Sequence, residues 1–142
     1  MNDTILIILL RAAAVGHFAI AILSTQLPRL LHWQDDIARM SLLVREVFKI
    51  HSFFITFIMV MFGTLTWKFA PVLAAGGNEL AVWLAAGLAL FWGVRTVFQW
   101  TFYSRSHWQG KPRETAAHWT FTLVYGVWTL LYAACATRGL SG

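Results

Sequence analysis

Apolar residues gather in four long stretches, each broken only by isolated polar side chains. The first runs roughly from Thr4 to Gln26 and is expected to stop before Pro28. The second runs from about Val47 to Ala70 and is expected to stop at Pro71; the third covers about Glu79 to Ser104 and the fourth about Thr115 to Thr137. Each stretch has about the 20 residues that a helix rising ~1.5 Å per residue needs to cross a hydrocarbon core. No ten-residue alternation of the kind that builds a membrane barrel occurs, which leaves helices as the spanning element. The pattern predicts an all-α integral membrane protein, a four-helix transmembrane bundle forming a single transmembrane domain over residues 1–142.

The linkers differ in character. Pro71 to Asn78, with Gly76-Gly77, reads as a short turn. Gly110-Lys111-Pro112-Arg113 is a basic turn in which Pro112 is placed to open the last helix. Between Leu27 and Glu46, the residues Leu30, Trp33, Ile37, Met40, Val44 and Val47 recur at helical spacing, with Asp35, Asp36, Arg39 and Arg45 elsewhere. This predicts an amphipathic helix between the first two spans, lying at the membrane surface or packed on the end of the bundle.

Composition strengthens the membrane reading. Hydrophobic residues make up 58% of the chain and charged residues 12%, against roughly 45–50% and about 25% in soluble domains. The single cysteine, Cys135, excludes an intrachain disulfide, a Cys-pair zinc or redox motif and covalent c-type haem attachment. The net charge of +5 comes from basic residues at the ends of apolar stretches rather than from a run. Such a distribution fits anionic headgroups and orientation, not nucleic acid. Met1-Asn2-Asp3-Thr4 lacks a basic n-region and Arg11 interrupts the first stretch, so that helix is expected to be retained.

Lys and Arg also predict direction. The first and third linkers and their flanks carry Arg29, Arg39, Arg45, Lys49, Arg105, Lys111 and Arg113, whereas the opposite side has Lys68 and Arg138. The positive-inside rule places both termini outside and these two linkers in the cytoplasm, with a bacterial inner membrane as the expected location.

Polar residues inside the stretches are the candidates for chemistry. In the last helix His118, Thr122, Tyr125, Thr129 and Tyr132 share one face, opposite Leu123, Val127, Leu130 and Leu131. That stripe is expected to look into the protein, as helix–helix contacts or as part of a site. The third helix holds Arg95, Gln99 and Tyr103 at intervals of four, with Trp92 beside them. A mid-helix arginine costs roughly 3 kcal/mol on insertion scales, so Arg95 needs a partner or must reach the headgroups. Arg11 lies close enough to the outer end of the first helix to do the latter. His17 lies deeper, either hydrogen-bonded to a neighbouring helix or acting as a ligand, and Ala12, Gly16 and Ala19 form a small-residue face. The second helix has His51 near its cytoplasmic end, as an interfacial residue or part of the site, and then Ser52, Thr56 and Gly63 on one face. By depth, His51, Gln99 and His118 fall near one level and His17, Thr56, Arg95 and Tyr125 a turn or two deeper; His32 and His107 occupy the linkers.

Two function classes are expected from these residues. One is a non-enzymatic accessory subunit or binding protein of a larger membrane complex, or a homo-oligomer, with a polar pocket of His17, His51, Arg95, Gln99, His118 and Tyr125 on the cytoplasmic side. The other is an electron carrier linked to quinone or an oxidoreductase, with haem b held by His51 and His118 and Arg95 beside a propionate. Compact zinc spacings, a G-x-S-x-G elbow, a Walker loop and G-x-G-x-x-G do not occur. Acidic ligands are confined to the surface ends, which argues against a carboxylate-rich iron centre. A transporter has no support from internal repeats or from a helix broken by proline at mid-membrane.

Overall fold

The computed structural model describes residues 2–140, except for the side chain of His107, so the depth expectation for that histidine lies outside the described residues. The described elements are helices: α1 (Asp3–Leu30), α2 (Gln34–Arg39), α3 (Leu42–Ala75), α4 (Glu79–Thr101), a 3-10 turn (Arg105–His107) and α5 (Pro112–Leu140). Of these, α1, α3, α4 and α5 are long and apolar enough to cross a membrane. Pro112 does open α5, where its missing N–H costs nothing. Asn78 caps α4 by accepting the Ala81 N–H at 3.2 Å, and Gly76, at φ 70°, takes the left-handed conformation that follows α3.

Both expected proline stops are overrun. α1 continues through Pro28 to Leu30, and α3 continues through Pro71 to Ala75. Proline's own φ is helical; what it removes is one backbone hydrogen bond, and a long apolar helix tolerates that loss. α4 ends at Thr101, three residues before the expected Ser104. The linker between the first two spans departs further from expectation. Leu30 belongs to α1, Val44 and Val47 belong to α3, and only the six residues of α2 are helical between them, with none of the six buried. The helical spacing of the apolar residues is real, but it runs across three helices. His32, at φ 55°, turns the chain just after α1.

The chain divides into two compact units, one from Ile7 to Ala70 and the other from Pro71 onward together with the start of α1 up to Leu6. In the first unit α1 and α3 run antiparallel, since successive contacts rise along α1 and fall along α3. The Arg11 guanidinium lies 5.5 Å from the Trp67 ring, Gly63 meets Ala14 and Phe18, and Ser24 hydrogen-bonds Thr56 at 2.8 Å. Gly63 is required by closeness: a Cβ there would stand 3.0 Å from the Phe18 ring and 3.2 Å from the Ala14 carbonyl oxygen. The small-residue approach thus runs through Ala14 and Gly63, while Ala12 and Ala19 of the expected small-residue face are exposed and Gly16 is half-buried.

In the second unit α4 and α5 pair, again antiparallel. Trp92, 1% exposed, is the centre of the pair, its ring stacked on Tyr125 at 4.9 Å and edge-on to Trp128 at 4.5 Å. Asp3 and Arg138 form an ion pair at 2.6 Å. The buried arc of α5 is broader than the predicted stripe and takes in Trp128, Leu131 and Cys135 beside it. Leu131, expected to face outward, is therefore buried. Leu123, Val127 and Leu130 are exposed as expected, as are Leu80, Leu90, Phe53, Phe54 and Phe57 on the other long helices.

Candidate polar site on the α4–α5 pair

Arg95 and Gln99 stand one turn apart on the same face of α4, and His118 and Tyr125 two turns apart on α5. Antiparallel pairing brings them together as a two-rung ladder. On the deeper rung the half-buried Arg95 lies 5.2 Å from the Tyr125 ring centroid and 5.8 Å from that of Tyr103. Cation–π contacts of this kind contribute about 0.5–2 kcal/mol but leave the charge in place. Among the described residues no carboxylate comes within ion-pair distance of Arg95. The charge is six residues from the end of α4, about 9 Å along the axis.

On the second rung Gln99 Nε2 approaches His118 Nδ1 at 3.4 Å, and both side chains are buried. With the amide in this orientation, Nδ1 accepts and the ring proton sits on Nε2. Turning the amide end for end makes its oxygen accept from Nδ1–H and leaves a lone pair on Nε2. The choice decides the chemistry: a donor in the first case, a metal ligand in the second.

The linker contributes a residue that the sequence patterns do not single out. Trp108 lies flat against His118, with ring centroids 4.5 Å apart and an interplanar angle of 8°. Its place is set by Thr115, whose hydroxyl donates to the Trp108 carbonyl at 2.6 Å, and by the Trp108 N–H, which donates to the Arg105 carbonyl at 3.2 Å. His118 Nε2 and Trp108 Nε1 are both shut off from solvent and have no hydrogen-bond partner among the described residues. Leaving such a group unmade costs ~1–3 kcal/mol each. No periodicity could have found Trp108, because it stands in irregular chain and is positioned by tertiary contacts.

The other predicted site residues lie in the Ile7–Ala70 unit. His17 is buried, donates from Nδ1 to the Ala13 carbonyl of its own helix at 2.7 Å, and meets Phe62 edge-on. His51 is exposed and donates from Nδ1 to the Val47 carbonyl at 3.0 Å. Thr122 and Thr129 donate to the carbonyls of His118 and Tyr125 four residues back, so these hydroxyl bonds stay within α5. Among the described residues no group of three His, Cys, Asp or Glu side chains is placed to hold a metal ion. Two apolar surface grooves lie elsewhere: one of about 580 Å³ is lined by Val15, Phe18, Thr64, Trp67 and Lys68, and one of about 380 Å³ runs along α4 from Ala89 to Phe98.

Comparison with protein-family models, with characterised proteins and with solved structures gives no match. The functional reading therefore rests on the residues themselves.

Proposed function

We propose that this chain is a small polytopic protein of a bacterial inner membrane that acts as an accessory subunit or binding protein of a larger membrane complex. Its ligand site is the polar ladder of Arg95, Gln99, His118 and Tyr125, on the cytoplasmic side by the distribution of Lys and Arg, with both termini outside. The observation that carries this reading is Arg95: a permanent cation on an apolar helix, seated over two tyrosine rings with no carboxylate among the described residues to neutralise it. A buried or half-buried charge of this kind calls for a counter-charge from outside the chain. In this reading Arg95 supplies charge, Tyr125 fixes it in place, and His118 with Gln99 supplies hydrogen bonds. Extraction in mild detergent should recover a stoichiometric partner or bound ligand that is lost in Arg95→Gln. A monodisperse chain without any companion, unaltered by that substitution, would overturn the proposal.

A second reading has its own support. A metal-bound histidine is usually oriented by a hydrogen bond at its other ring nitrogen, and His118 has Nδ1 turned to the Gln99 amide and Nε2 without a partner. That arrangement is one in which His118 would serve as a ligand to haem b, for which the sequence offers His51 as the second histidine. Haem would supply one-electron redox chemistry, and Arg95 a positive charge for a propionate. The oxidised and reduced absorption spectra of protein made with haem available decide the matter. A Soret band with sharp α and β bands, lost in His118→Ala and in His51→Ala, supports haem; a featureless spectrum removes it.

A further inference from the structure

Resting on the binding-protein reading above, we infer that the α4–α5 site takes a phosphate-type oxyanion, carried by an acidic phospholipid headgroup or present as free phosphate. Three segments of the chain bring donors to this end of the helix pair: α4 through Arg95, α5 through His118, and the linker through Trp108. With Gln99 donating to His118 Nδ1, the His118 Nε2–H and the Trp108 Nε1–H are both donors lacking an acceptor, and both belong to the same stack of parallel rings. Two unmet donors at the rung next to an uncompensated guanidinium, with Gln99 one helical turn from Arg95 holding His118, call for a ligand that is rich in acceptor oxygens and carries negative charge. A quinone carbonyl would satisfy the donors but leave the charge of Arg95 standing. A phosphate group does both, because its oxygens point in several directions and the guanidinium fork matches them.

The surroundings favour the same class. The exposed Arg105, Lys111 and Arg113 flank the linker, against Glu114 as the acid of that stretch. Cations clustered next to a membrane-spanning helix draw acidic lipids to the surface. His118 Nε2 and Trp108 Nε1 are closed to solvent, and their N–H bonds point outward in the ring planes, so the oxyanion would reach them at the edge of the stack, with a shift of the linker that Thr115 ties to α5.

The test uses the full chain in nanodiscs of phosphatidylcholine alone, of phosphatidylcholine with phosphatidylglycerol, and of phosphatidylcholine with inorganic phosphate in the buffer. Thermal midpoints and hydrogen exchange of the 102–111 linker are read in each. A site that engages the lipid phosphate should raise the midpoint by about 3–5 °C in phosphatidylglycerol, with altered linker exchange. Trp108→Phe keeps the ring stack and every charge while removing one N–H, and it should abolish at least half of that shift; Arg95→Gln should abolish nearly all of it. Lys68→Gln, on the other unit, should leave it intact. A shift with inorganic phosphate in neutral discs identifies a soluble anion as the source; a shift with phosphatidylglycerol only identifies the lipid. No shift in either arm, or one that Trp108→Phe retains in full, overturns the inference. Recovery of a partner or of haem together with a flat phosphate response would leave the binding-protein reading standing and remove the oxyanion alone.

Discussion

In the proposed reading, Arg95 carries more functional than structural weight. The two tyrosine rings hold the guanidinium in place without neutralising it, so the chain alone gains little from the charge. Arg95→Gln should consequently change the thermal midpoint in neutral lipid by less than about 3 °C, because it removes a cation–π contact and an uncompensated charge together. Binding should fall at least tenfold in the same variant. Tyr125→Phe keeps the ring beneath Arg95 and should bind nearly as the parent does, whereas Tyr125→Leu should lose about 1 kcal/mol of stability along with the site. Paired melting and binding measurements separate these cases; equal loss of both in Arg95→Gln would make the arginine structural. The spacings that join Arg95 to Gln99 and His118 to Tyr125 are plain in the sequence, since residues four or seven apart share a helical face. Trp108 was not legible. Its position depends on the Thr115 hydroxyl seven residues away and on a turn that has no period. Nor does spacing reveal that Thr122 and Thr129 bond back to their own helix, because a hydroxyl on a buried face has either choice.

Helices were legible as elements and less so as lengths. Hydropathy locates α1, α3, α4 and α5 because each has a long apolar run, but their ends depend on what a proline does in context. Pro28 and Pro71 read as terminators only if the lost hydrogen bond outweighs continuing the helix, and in both cases the helix continues. The expected amphipathic helix is shortened to the six residues of α2 for the opposite reason: helical spacing persists across a break, and nothing in the periodicity marks the left-handed turn at His32. Packing between α1 and α3 makes a sharper demand. Gly63 sits where a Cβ would press on Phe18 and on the Ala14 backbone, and the backbone oxygen has little freedom to give. Gly63→Ala should cost less than ~1 kcal/mol if Phe18 swings aside. Gly63→Leu overpacks the contact and should cost ~1–3 kcal/mol. Unfolding of the two variants in mixed micelles checks the order, and a leucine variant as stable as the parent would mean that α1 and α3 do not approach closely at this point.

The apolar side chains that no protein covers bear on the molecule as a whole. Phe53, Phe54 and Phe57 on α3, Leu80 and Leu90 on α4, and Leu123 and Leu130 on α5 are each more than half exposed, and water would penalise every one of them by roughly 25 cal/mol per Å². Four helices are long and apolar enough to cross a membrane, and four crossings would put the α1–α3 and α4–α5 linkers on one side and the short α3–α4 turn on the other. Those two linkers with their flanks also hold most of the basic residues, so with four crossings the positive-inside rule would turn that side to the cytoplasm. The expectation is concrete in a Cys135→Ser background, where the buried native thiol no longer competes. Ser106→Cys and Gln34→Cys should react with a membrane-impermeant maleimide only after the inner membrane is opened, and Gly77→Cys should react in intact spheroplasts. All three replaced positions are exposed, so a silent site reports side rather than burial. Labelling of Gln34→Cys and Ser106→Cys on opposite sides would break the four-crossing arrangement. The reverse pattern, with both open to the outside, would keep the crossings but move the Arg95 site away from the cytoplasmic leaflet and its acidic lipids.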